Sequence, residues 1–411
     1  MKVFVKHFGC AFSRAEAEII KGLLSEKHEI VEGEDEADVV VVVTCHVKES
    51  TFKKVLNYIE SVKSNVVVYG YLPTAYEEFI KRKCPLLDVC SITNVLFAVE
   101  HGKSFKSTKK VVKLGFKRVR YNQVVGIVPI CEGCTGNCSY CAVKLARNGL
   151  LSYPEEAIVK EVERFVREGC VEIWLTAQDA GAYGMDRNTS ICSLLKKVGA
   201  IKSFFKVRVG MMNPAHAKKY LQEYLDVIEG SKFYKFFHLP VQSGSDKILE
   251  LMRRRYTSRE FEEMCKEIRK RFPLAQIWTD IIVGFPYETE EDFEMSVKLV
   301  EKVEPDWVNV SKFSPMPKTE AFKMKEGFVD TREKKRRSSV LMEVVREVAE
   351  RVNERWIKWC GEAVVVEKGK RGYIARNFAY KPIVVEGDFK LGDVIEVEVE
   401  GASNVLFGRK A

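Results

Sequence analysis

The stretch that most constrains this chain is Cys134-Thr-Gly-Asn-Cys138-Ser-Tyr-Cys141. Three thiols in a C-x3-C-x2-C pattern are too close in sequence to serve separate purposes, so they must share one ligand. A [4Fe-4S] cube offers tetrahedral iron corners that accept thiolate, and three protein ligands leave one iron open. Cys131 adds a C-x2-C pair just upstream, so structural zinc is the competing reading. Zinc knuckles are usually separated by about 12–20 residues, which lets the chain fold around the ion. Only the short Thr135-Gly136-Asn137 link separates Cys134 from Cys138, and this favours the cube. A disulfide framework does not suit a chain of 411 residues with scattered cysteines and no signal peptide.

An iron with an open position can chelate the amino and carboxylate groups of S-adenosylmethionine (SAM). An electron from the cube then cleaves SAM to a 5′-deoxyadenosyl radical. The triplet therefore points to an enzyme that abstracts hydrogen from an unreactive C–H bond. The rest of the composition is compatible with this. The length allows two or three domains, and 46% hydrophobic residues support sizeable cores. No run approaches the ~18 apolar residues of a membrane helix. A cytoplasmic location is expected, with the twelve cysteines reduced and some of them metal ligands. The formal charge of +9 permits a polyanionic partner without requiring one.

The expected fold class is α/β in three parts. Residues 1–98 alternate strand and helix signals, with strands at Val3–Val5, Val39–Val43 and Val66–Val68. The continuous apolar run 39–43 is that of a strand buried on both faces. These signals predict a small doubly wound sheet, whose ligands gather beyond the carboxyl ends of its strands. Cys10, Cys45 and Tyr71 fall at those ends, so a second metal site is expected there. The segment 101–120 is rich in Lys and Arg and has no acid. It reads as a solvated linker or an RNA-contacting strip.

Residues 124–345 repeat strand and helix six times, which predicts a partial (β/α)6 barrel. Chemistry in barrels sits where the strands end. Those ends carry the cysteine triplet, Gln178-Asp179, Met212-Asn213, Gln242 to Ser245, Asp280 with Gly284, and Ser311 with Ser314. A helix from about Thr331 to Trp359 leads to residues 356–411, where short alternating strands predict a small OB-like β-barrel. Arg371, Tyr373, Arg376, Phe378, Tyr380 and Lys381 interleave aromatic and basic side chains there, as stacking on RNA bases and neutralising phosphates would need. Cys170, Cys192, Cys265 and Cys360 lie in or near helical patterns and read as structural.

With these residues in view, the chain resembles the methylthiotransferases of the radical SAM superfamily, which modify tRNA adenosine or a ribosomal protein. The similarity runs through Phe8-Gly9-Cys10, Val43-Thr44-Cys45, Ala146-Arg147, Leu175 to Asp179, His238 to Ser245 and Thr279 to Pro286. Gly210 to Pro214 and Arg376 to Pro382 are most similar to the archaeal and eukaryotic branch that modifies N6-threonylcarbamoyladenosine. The resemblance implies an N-terminal methylthiotransferase domain, a radical SAM core and a C-terminal TRAM domain. It implies a [4Fe-4S] cluster on Cys134, Cys138 and Cys141, and an auxiliary iron–sulfur cluster in the first domain. It also implies tRNA as partner, an electron donor and a sulfur source. The chain is read as a monomer. SAM would be held by Gln178, Asp179, Gln242, Ser243 and Asp280, with Arg147 on a carboxylate.

One departure stands out. The family has three cysteines in its first domain. Cys10 and Cys45 match two of them, and the third position is Tyr71. A phenol stays protonated near pH 7 unless a metal depresses its pKa of about 10. Tyr71 could ligate as phenolate, Cys84, Cys90 or Cys131 could replace it, or the auxiliary cluster could be labile or absent. Two alternatives therefore accompany the main reading: a radical SAM paralogue with altered chemistry, and a non-catalytic iron–sulfur RNA-binding protein.

Overall fold

The computed structural model describes residues 1–44, 49–70, 74–89, 91–107, 109–147 and 149–411. Cys45, Tyr71 and Cys90, three of the residues weighed for the second metal site, lie outside the described residues.

The first unit contains β1 (Lys2–Phe8), α1 (Ala11–Leu24), β2 (Glu29–Ile30), β3 (Val39–Thr44), α2 (Glu49–Ser61), β4 (Asn65–Gly70), α3 (Thr74–Lys83), β5 (Leu86–Leu87) and α4 (Val95–His101). The strands form one parallel sheet in the order β2-β1-β3-β4-β5. All six residues of β3 are buried. Val39, Val41 and Val43 face one core and Val40 and Val42 face the other. The apolar run is continuous because helices cover both faces of this strand.

The second unit begins with β6 (Val125–Pro129), β7 (Cys131–Glu132), α5 (Val143–Ala146), β8 (Leu151–Ser152) and α6 (Glu155–Arg167). It continues through β9 (Glu172–Thr176), α7 (Ile191–Gly199), β10 (Lys206–Val209), α8 (Pro214–Ala217), α9 (Leu221–Ile228) and β11 (Phe236–His238). It ends with α10 (Asp246–Leu251), α11 (Ser258–Arg271), β12 (Gln276–Val283), α12 (Glu290–Val303), β13 (Trp307–Lys312), α13 (Glu320–Lys323) and α14 (Thr331–Glu354). Six parallel strands run in the order β6-β9-β10 and β11-β12-β13, with a bridge from Val207 to Phe233 joining the two halves. Ile173, Leu175, Val207, Val209, Phe237 and Ile277 point outward into the main core beneath the helices. The alternate positions, among them Trp174, Arg208, Phe236, Trp278 and Asp280, face the inside of the barrel.

The link between these units is only partly solvated. Lys113 is fully buried between Glu16 and Glu132, and the Arg118 guanidinium is buried beside Glu18 and Glu161. These two cations satisfy carboxylates on α1, β7 and α6, whereas Lys103, Lys106, Lys109 and Lys117 are exposed. The backbone lies so close to α1 that a Cβ on Gly22 would sit 1.9 Å from the Lys117 carbonyl oxygen.

The last unit is a closed barrel of β14 (Cys360–Gly369), β15 (Gly372–Arg376), β16 (Pro382–Val385), β17 (Val394–Ala402) and β18 (Leu406–Lys410). The fifth strand was not expected from the sequence. Helix α14 stops at Glu354, short of the expected Trp359, because Trp356 turns into the β-barrel core. Cys360 is exposed at the start of β14, so it is not a core thiol near a helix.

The docking of this unit overturns most of the expected RNA face. The turn 377–381 enters the N-terminal end of the central barrel, opposite the strand ends where a site would lie. Tyr380 is 6% exposed, with its ring centroid 5.0 Å from both Tyr234 and Phe236. The Arg376 guanidinium stacks 4.1 Å above the Tyr380 ring and faces Glu172 at 3.5 Å. Lys381 is buried against Asp306 at 2.6 Å, and Phe378 packs on Trp356 and Trp359. Aromatic and basic residues alternate here because they plug a barrel with an acidic, aromatic floor. Tyr373 is half-buried against Phe389, and Arg371 is exposed. Tyr380→Ala is expected to cost about 3–5 kcal/mol, as removal of a buried aromatic does. Denaturation would measure that cost, and proteolysis after residue 354 should show the β-barrel released.

Candidate active site

The cysteine loop leaves β6 at the carboxyl mouth of the barrel. Gly133 makes the turn with φ +87°, and a Cβ there would lie 1.8 Å from the Gly149 carbonyl oxygen. Its N–H donates to Gln178 Oε1 at 2.7 Å, which ties the loop to the end of β9. Cys134, Cys138 and Cys141 all line one cavity of about 430 Å³, a size suited to a small-molecule site. Thr176, Gly210, His238, Gln242 and Asp280 line its barrel side. Cys10, Thr44 and Val89 line it from the carboxyl ends of the first unit's sheet. Cys10 of the first strand-end set therefore faces the same chamber as the cysteine triplet, Gln178, Asp179, Asn213, Gln242 and Asp280 of the second.

The donor set fits a cube. The Gly136 N–H donates to Cys134 Sγ at 3.1 Å, and Arg254 Nη1 donates to Cys138 Sγ at 3.2 Å. The backbone amides of Val143 and Lys144 act on Cys141. Each sulfur thus has an N–H group that favours a charged, metal-bound thiolate. With no iron present, burial and then the Asp179 carboxylate push the Cys134 thiol well up. Burial and then Cys138 push Cys141 up to about 11. Iron binding must therefore displace protons here. Cys131 is fully buried in the main core, its Sγ 3.7 Å from the Asp179 carbonyl oxygen, and does not line the chamber. Cys84 is also a core thiol, pushed up to about 11 by burial, and lines no part of it. Neither faces the chamber as Cys10 does.

The residues expected to hold SAM divide into two groups. Gln178, Gln242 and Asp280 line the chamber. Gln242 adopts φ +76°, a conformation costly for a side chain of this kind. It is fixed by Gln242 N to Asp280 O at 2.8 Å and Ile282 N to Gln242 O at 2.9 Å. Asp280 accepts from Asn309 Nδ2 at 2.6 Å and lies 3.2 Å from His238 Nε2. Asp179 is 2% exposed and already engaged. Its Oδ1 accepts from Gly181 N and Asn213 N, and its Oδ2 lies 2.7 Å from His216 Nδ1. It lines the chamber too, but these partners occupy both of its oxygens, so it braces the loop. Ser243 is fully buried beside Ser296 and does not reach the chamber.

Arg147 touches the chamber, but carboxylates of the protein already hold its guanidinium. Nη2 donates to Glu16 at 2.8 and 3.0 Å, and Nη1 donates to Glu132 at 2.6 Å. Lys113 joins both acids, and Tyr69 OH donates to Glu16 at 2.9 Å. Arg147 thus clamps the two units and is not available to a substrate carboxylate. Cys10 lines the chamber as the N-cap of α1, where the helix dipole favours an anion.

Two further residues of the site were missed in sequence. Arg254 is nearly buried, donating to Cys138, to the Pro240 carbonyl and to Tyr256 OH. His216 links Asp179 to Thr135 Oγ1, 3.3 Å away in the cysteine loop. An arginine run at 253–255 and a lone histidine after Asn-Pro carry no pattern of their own, because their roles arise from a long-range fold.

Comparison with known proteins agrees with this geometry. Residues 128–300 match the Radical SAM superfamily, and residues 2–91 match "Uncharacterized protein family UPF0004". A Pyrococcus horikoshii protein named "Probable threonylcarbamoyladenosine tRNA methylthiotransferase" is 40% identical over 98% of each chain. The human threonylcarbamoyladenosine tRNA methylthiotransferase is 30% identical, over 97% of this chain and 72% of its own length. Among solved structures, the radical SAM methyltransferase TsrM from Kitasatospora setae matches with TM-score 0.56 and 13% identity, covering 78% of this chain and 76% of that one. That likeness is one of fold. The full-length matches support a methylthiotransferase over both alternatives. The chain belongs to the radical SAM methylthiotransferases of the threonylcarbamoyladenosine tRNA family.

Proposed function

We propose that this enzyme places a methylthio group on C2 of N6-threonylcarbamoyladenosine in a tRNA anticodon loop. The observation that carries the reading is the single chamber bounded by the Cys134–Cys138–Cys141 loop on one side and by Cys10 on the other. Transfer of a sulfur group to a carbon activated at the cube requires both to be reached from one bound base. When bound, the cube supplies the electron that cleaves SAM and so the radical that takes the C2 hydrogen.

The protein's own residues orient and enclose. Arg254 and the Gly136 amide hold two of the cluster sulfurs, and the Asp179–His216 pair fixes the loop that carries them. Gln242, locked in its left-handed conformation, presents its side chain from the end of β11, with Asp280 and His238 beside it. Cys10, with Cys45, would hold the second cluster, which carries the sulfur. An electron donor and a sulfur source must act from outside the chain. An anticodon loop suits the chamber because its bases are single-stranded and can be splayed into a pocket. Among the described residues no helix is long and apolar enough to cross a membrane.

Protein purified without oxygen should contain about eight irons per chain, and about four would leave only the radical cluster. Mass spectrometry of tRNA from a deletion strain should lack the 2-methylthio form of the threonylcarbamoyl nucleoside. Its persistence at the wild-type level would reject the substrate.

A further inference from the structure

Arg208 on β10 is an exception among the guanidiniums near the site. Arg147, Arg254 and Arg376 each meet carboxylates or fixed acceptors. Among the described residues, Arg208 has no hydrogen bond or ion pair. Its Nε is buried without a partner. Nevertheless it lines the chamber. Three rings hold it in place, with its guanidinium carbon 5.5 Å from the Trp174 centroid, 4.8 Å from Phe236 and 5.3 Å from Tyr380. A buried guanidinium nitrogen without an acceptor is costly, and the planar fork beside it, open to the chamber, matches a carboxylate.

We propose that Arg208 is the carboxylate-binding residue of the chamber. This rests on the function proposed above, which brings two carboxylates there. One is the free carboxylate of the threonylcarbamoyl group, and the other belongs to SAM. Depth favours the first. The Arg208 guanidinium rests on Phe236 and Tyr380 at the floor of the barrel, whereas SAM must reach the cysteine loop at the mouth. Tyr380, delivered by the C-terminal barrel, forms part of the aromatic shelf under the guanidinium. That barrel would thus shape the base pocket from below.

The test compares anticodon stem-loops that carry either the threonylcarbamoyl acid or its neutral carboxamide. Binding to full-length wild type, Arg208→Gln and Arg208→Lys is read by fluorescence anisotropy, and SAM binding by equilibrium dialysis. The wild type should prefer the acid by about 10- to 100-fold, the range of a hydrogen bond to a charged group. Arg208→Gln should bind both stem-loops alike, and Arg208→Lys should recover part of the preference. If Arg208→Gln instead weakens SAM by a similar factor and leaves the stem-loop preference intact, the carboxylate is that of SAM and the assignment to Arg208 stands. If neither affinity changes, the proposal is overturned. Failure of the wild type to methylthiolate either stem-loop would sink the proposed function, and the SAM arm would still decide Arg208.

Discussion

Arg147→Ala is expected to destabilise the enzyme by about 3–5 kcal/mol, the range for breaking a buried ion pair from one side. The substitution leaves Glu16 and Glu132, both fully buried, with Lys113 as the cation that still bonds both. Burial alone would raise the Glu132 carboxyl, but Lys113 and Arg147 more than offset it and hold it at about 2. Glu16 is likewise held below its ordinary value, against burial, by Arg147 and then Lys113. A carboxyl depressed in the folded state stabilises it above the ordinary value of about 4.5, and that stability is lost as pH falls towards 2. Wild-type melting should therefore fall steeply between about pH 4.5 and pH 2. Glu132→Gln should flatten that slope while lowering stability at pH 7. The network joins α1 of the first unit to the cysteine loop's own strand, so the loss should appear first as proteolysis within residues 101–124. A Tm that moves by less than about 2 °C at pH 7 in Arg147→Ala would show that the cluster of charges does not hold the units together.

How much of this was legible in the sequence depends on the range of the interaction. The Val39–Val43 run, the six barrel strands and the cysteine loop follow from local pattern, and the structure places each within a few residues of its expected position. Parallel strands also announce where their ends lie, so Gln178, Gln242, Asp280 and Cys10 could be assigned to a rim before any coordinates. Partner identity could not be read this way. Lys113 looks like one more solvated cation until Glu16, 97 residues away in sequence, is set beside it. Arg376 to Lys381 has the composition of an RNA-binding surface, and that composition also suits a plug. Only the floor provided by Glu172, Tyr234, Phe236 and Asp306 decides which it is. Arg147 belongs to the motif that carried the family resemblance, yet its acceptors lie on α1 and β7.

The same contrast separates two neighbouring cysteines. Cys134→Ala should abolish reductive SAM cleavage, a loss of at least about 10³-fold, because a cube left with two protein thiolates loses its third anchor. Iron content should fall by about four per chain. The fold should survive, since Cys134 is only partly buried in a surface loop whose other ties, Gly133 to Gln178 and Thr135 to His216, remain. Cys131→Ala should do the reverse. Its side chain is fully buried against the main core and the Asp179 carbonyl, so its truncation should cost about 1–2 kcal/mol and leave iron and SAM cleavage in place. Iron and zinc analysis of both variants, with SAM cleavage followed by release of 5′-deoxyadenosine, separates the two sulfurs. Loss of metal from Cys131→Ala, or retention of SAM cleavage by Cys134→Ala, would overturn the assignment of the radical centre to Cys134, Cys138 and Cys141. Two cysteines separated only by Glu132 and Gly133 would then have exchanged roles, and the chamber would have to be rebuilt around a four-thiolate site.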